Sequence, residues 1–177
     1  MLDDMIERVV DQLQQQYFGK FRGKVVDNND PLKRGGVKVR VPAVLGEVDV
    51  WALPCVPYAG PKVGFYAIPP VDAAVWVEFE GGHLNFPIWV GCFWAEDEIE
   101  SADADPGVFF FRTPAGFIRM KQADGTIEIE TDGGTSIVMS ATEIKVDGKT
   151  IKQTAGGSAT ELGAAGFDAM NGALKVM

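Results

Sequence analysis

Apolar and polar residues alternate with a period of two along most of this chain, and that pattern predicts a mainly β protein. The alternation is plainest in Val37-Lys38-Val39-Arg40-Val41, which follows a turn-rich run holding Asp30-Pro31 and Gly35-Gly36. Asx and Pro shape such a loop, and Gly permits positive φ there. A strand before it and the alternating strand after it make a hairpin. Candidate strands fall at 20–27, 36–42, 49–57, 73–80 and 86–93. Five short strands with Gly and Pro between them predict a small sandwich or barrel. The long loop 58–70 is apolar and aromatic, which predicts packing onto a partner surface.

Two other patterns flank this region. Over residues 3–17, Met5, Ile6, Val9, Val10, Leu13 and Tyr17 recur at three- and four-residue spacing, with Asp3, Asp4 and Glu7 near the start. That spacing predicts an amphipathic helix whose stripe needs a surface to cover it. Beyond residue 107, apolar pairs two apart are separated by Asp-Gly or Gly-Gly turns: Ile118 and Met120, Ile127 and Ile129, Ile137 and Met139, Ile144 and Val146, then Ile151. This is a meander of short strands with one apolar face. A thin sheet is marginal in water, and no later run covers it. Identical sheets from sister chains, closed about a rotation axis, would bury the face; the alternative is a β extension lying on its own barrel. The Gly- and Ala-rich end carries Leu162, Phe167, Met170, Leu174 and Val176, too apolar for a free tail.

Charge narrows the partners. The net charge is −9, and no block is basic enough to track a phosphate backbone, so nucleic acid is not expected. The stretch 95–107 is an acidic linker between two compositions. No run has the length of a membrane span, and the start lacks a signal-peptide pattern. Cys55 and Cys92 sit in apolar, strand-like settings and read as buried, reduced thiols.

With both halves in view, the chain resembles the central spike family of contractile phage baseplates, the baseplate assembly protein V type, whose module recurs in valine–glycine-repeat spike proteins. The residues that carry the resemblance are Gly23 to Asp27, Asp30-Pro31, Gly36 to Pro42, Trp51, Pro57 with Ala59-Gly60, Gly64, Pro69-Pro70-Val71, Val75 to Gly81, and Pro87 with Gly91. It departs from the family at Gly35-Gly36, Asp72-Ala73 and Gly82-His83, all loop positions. The resemblance covers about residues 19–153 and implies a five-stranded OB-fold barrel (19–95) and an intertwined trimeric β-prism or β-helix (108–153); the residue patterns add an N-terminal helix (1–18), an acidic linker (96–107) and a distal tip (154–177). It implies a homotrimeric spike seated under a baseplate hub protein, piercing the target cell envelope on contraction, in a virion tail or phage-tail-like injection particle made in the bacterial cytoplasm.

In that frame the expected trimer core is Ile118, Met120, Ile127, Ile129, Ile137, Met139, Ile144, Val146 and Ile151. Hub docking falls to Met5, Ile6, Val9, Val10 and Leu13, and the tip to Phe167, Met170 and Leu174, bare or under a small capping protein. No catalytic, cofactor or metal residue is expected. His83, the one histidine, reads as a turn residue, and Glu96, Asp97, Glu98 and Glu100 lack the cleft that a glycosidase pair needs. The rival reading is an acidic OB-fold module that binds an oligosaccharide or a single strand through Lys33, Arg34, Lys38, Arg40 and Trp51.

Overall fold

The computed structural model describes residues 5–6, 16–164, 166–169 and 173–176. The described chain divides into two units, 1–98 and 99–177, each with its own β structure.

The first unit is a closed barrel of β1 (Phe21–Asp27), β2 (Val37–Arg40), β3 (Asp49–Pro54), β6 (Ala74–Phe79) and β7 (Pro87–Cys92), in the order β1-β2-β3-β7-β6. All pairs are antiparallel except β3 with β7, where Leu53 faces Ile88. This is the connectivity of an OB fold. The inward half of each alternation fills the barrel: Val25, Val37, Val39, Ala52, Val75, Val77, Phe79 and Trp89 are buried, with Val41 just past β2. Lys38 and Arg40 are the outward half, and Arg40 holds Asp49 through two hydrogen bonds, 2.7 and 3.0 Å. Register shifts between Val25 and Asp27, and between Trp76 and Val77, bend the strands into closure. A short helix α1 (Pro42–Leu45), which the periodicity does not predict, follows β2.

The β1–β2 loop is built around Asp30. Its carboxylate is buried and accepts the backbone N–H groups of Leu32 (3.0 Å), Arg34 (2.9 Å) and Gly36 (3.3 Å). Burial works to raise the Asp30 carboxyl, but these hydrogen bonds and the Arg34 guanidinium outweigh it and hold the group below its ordinary value. Trp89 then seals the loop from inside, donating its indole N–H to the Gly35 carbonyl at 3.2 Å. Loop 58–70 carries a small hairpin, β4 (Ala59–Gly60) with β5 (Val63–Gly64).

The second unit holds two antiparallel meanders. The first runs β8 (Val108–Thr113), β9 (Gly116–Lys121), β10 (Thr126–Thr131), β11 (Ser136–Met139) and β12 (Ile144–Asp147), each paired with its chain neighbour. The second runs β13 (Thr150–Ala155), β14 (Ser158–Gly163), β15 (Gly166–Ala169) and β16 (Leu174–Val176). The β13–β14 turn is Gly156-Gly157, both at positive φ, the pair that a tight two-residue hairpin demands.

Several expectations change. Of the helix expected over 3–17, only Met5 and Ile6 are described as helical; Val9, Val10 and Leu13 lie outside the described residues. Tyr17 is not helical. Its N–H donates to the Gly82 carbonyl at 2.9 Å, and its ring meets Phe21 and Phe79 edge-on, so it belongs to the barrel. The boundary expected at 153/154 falls inside β13, because the second sheet starts at Thr150. Cys55 and Cys92 are free but exposed, not buried: Cys55 follows the end of β3, and Cys92 is the last residue of β7, opposite Val75.

Candidate functional site

Antiparallel register decides what the second unit can do. Directly paired residues share a face, so apolar residues two apart in each strand must line up across the sheet. They form two ladders. One runs Phe109, Met120, Ile127, Met139, Ile144; the other runs Phe111, Ile118, Ile129, Ile137, Val146. Every rung is apolar, and both ladders lie on one face of the five-stranded sheet. Most rungs are exposed in the single chain, from 39% at Ile137 to 69% at Phe109 and Ile144; Ile127 and Met139 are half-buried.

The opposite face carries an ionic network. Asp103, buried to 3% exposure, accepts from Arg112 (2.7 Å) and Arg119 (2.9 Å). Arg119 also donates to Glu128 at 2.9 Å, and Lys121 to the other oxygen of Glu128. Both arginines lie over the Phe117 ring, 4.5 and 4.4 Å from its centroid. Asp103 falls in the stretch expected to be a solvated linker, and instead it fastens that stretch to β8 and β9. One face of the sheet thus carries an ionic network set among Phe110, Phe117 and Val138, and the other carries the two unbroken apolar ladders.

Of the nine expected core residues, eight stand in the two ladders: Ile118, Met120, Ile127, Ile129, Ile137, Met139, Ile144 and Val146. Ile151 does not join them. It opens a separate row on the second sheet, Ile151–Leu162–Phe167. Phe167 and Leu174 lie on one face of that sheet and are exposed; Met170 lies outside the described residues. Phe109 and Phe111 complete the ladders, and the pattern of apolar pairs does not single them out. Three consecutive phenylalanines, 109–111, hide an alternation of two, although the Arg112-Thr113 exit from the run marks a strand end. Met5 and Ile6 are exposed.

Among the described residues no group of three or more His, Cys, Asp or Glu could hold a metal ion, and His83 sits in a turn with its N–H on the Glu80 carbonyl. No described helix is long and apolar enough to cross a membrane.

The first unit is therefore a closed, five-stranded OB barrel with a carboxylate-organised β1–β2 loop. Residues 21–94 match the family model of the type VI secretion system and phage-baseplate injector OB domain, a match that takes in the whole barrel. No curated protein matches the chain.

Proposed function

We propose that the chain is the homotrimeric central spike of a contractile tail or injection-system baseplate. The observation that carries this is the pair of five-rung apolar ladders, which a single chain leaves in water. Three copies of the sheet, ladders inward and ionic faces outward, would bury both rows about one axis and leave charge on the outside. The second sheet, with its own apolar row, would continue the shaft toward a narrow end at Phe167, Met170 and Leu174. The OB barrels would form a collar under the baseplate hub protein, with the N-terminal stripe of Met5, Ile6, Val9, Val10 and Leu13 docking there. A small capping protein could cover the tip.

The role is mechanical and requires no reaction. Contraction would drive the shaft into the target cell envelope, and interchain burial would keep the point stiff. The rival, an oligosaccharide- or single-strand-binding module, gives no use to the ladders. Sedimentation of the purified chain separates the two: the spike reading expects a trimer that persists in denaturant, and a stable monomer refutes it. Particles made without the chain should also lack a central spike by electron microscopy.

A further inference from the structure

One basic, aromatic groove on the barrel is not used by this reading. It holds about 440 Å³ beside the β4–β5 hairpin and is lined by Lys33, Arg34, Lys62, Phe65 and Tyr66, among others. Lys33 and Lys62 both stand at positive φ, 52° and 64°, conformations that non-glycine residues rarely hold. Neither lysine has a carboxylate within ion-pair reach among the described residues, and Arg34 reaches only Asp30, at 3.5 Å. In a chain of net charge −9, two unpaired lysines and a half-paired arginine in one hollow are an unspent attraction.

The same barrel displays the complement elsewhere. Ala67 and Ile68 line this groove and also a neighbouring apolar hollow that reaches Trp94 and Glu98. There the acidic segment begins: Glu96, Asp97 and Glu98 are all exposed, and Asp97 too has positive φ, 62°. Glu96 and Asp97 have no cation within ion-pair reach among the described residues. The barrel thus carries a positive hollow and a negative segment at different places. Non-identical complementary patches meet head to tail, and such contacts close rings.

We propose that the groove of Lys33, Arg34 and Lys62 receives the acidic segment 96–98 of a neighbouring copy, so that charge locks the barrels into a collar. This rests on the trimer reading and adds to it a contact that the ladders do not supply. The occupant is a second copy of this chain, chosen on charge complementarity.

Carbodiimide, which joins an amine to a carboxylate in contact with it, tests the proposal on the purified full-length oligomer. The expected result is covalent dimers and trimers on a denaturing gel, with peptides joining Lys33 or Lys62 to residues 96–98. The variant K33R/K62R keeps both charges and removes both reactive amines, so it should sediment like the parent and lose those covalent species. Persistence of the same species in K33R/K62R overturns the proposal. So does a parent trimer with no chain-to-chain link through these residues, and either result leaves the trimer standing. A parent that sediments as a monomer overturns the trimer reading and this contact with it.

Discussion

Ile129→Asp puts the ladder argument at risk in one substitution. Ile129 occupies the central strand β10, between Ile118 on one side and Ile137 on the other. It is 40% exposed in the single chain, so two fifths of its surface awaits association. Full burial of such a side chain stabilises by about 1.5–3 kcal/mol, so the exposed share is worth roughly 0.6–1.2 kcal/mol per chain and about 2–4 kcal/mol across three chains. Aspartate forfeits that share and sets three carboxylates into an apolar seam, which adds several kcal/mol more. Ile129→Ala forfeits area without adding charge and should fall between parent and Ile129→Asp. Lys145→Ala, on the opposite face and exposed, should leave association unchanged. Sedimentation velocity over a dilution series, with and without guanidinium, reads the trimer population. The reasoning fails if Ile129→Asp sediments as a trimer with the parent's resistance.

Three further outcomes are expected. Asp103→Ala removes the buried carboxylate that Arg112 and Arg119 share and leaves Arg119, whose side chain is only 13% exposed, with Glu128 alone; it should destabilise the second unit by about 1.5–3 kcal/mol in denaturant titration, whereas a surface pair would cost under ~1 kcal/mol. Because the folded Asp30 carboxyl lies below its ordinary value, its stabilisation is complete above the unfolded value of about 3.9 and drains away as pH falls through the lower folded value; melting of Asp30→Asn should lose that acid-side slope, and an unchanged profile contradicts the assigned role. Limited proteolysis of the oligomer should spare residues 155–176 if the second sheet packs between copies, while rapid trimming with the oligomer and its activity intact removes the tip assignment.

The barrel was legible because its alternation is strict: Val37, Val39 and Val41 inward, Lys38 and Arg40 outward, with Asp30-Pro31 announcing the turn. The ladders were legible for the same reason, since Ile-x-Ile pairs after Asp-Gly turns leave one register that keeps them on one face. What escaped was long-range or masked. Asp103 looks like any carboxylate in an acidic run, and only the fold brings Arg112 and Arg119 to it. Ile151 continues the rhythm of the first sheet, but Asp147-Gly148-Lys149 breaks the pairing and starts another. Helix α1 spans only four residues, too few for any period to register.

The meander itself has a kinetic consequence. Each strand of the first sheet pairs with the strand made just before it, so hairpins can form in order as the chain leaves the ribosome, with little loop entropy to overcome. Yet every hairpin added lengthens a row of uncovered isoleucine, methionine and phenylalanine. The single chain is therefore stickiest at the moment its own sheet is complete. If three copies assemble as proposed, its fate becomes a race between finding two sisters and clumping with strangers, a race that expression rate and temperature would tilt.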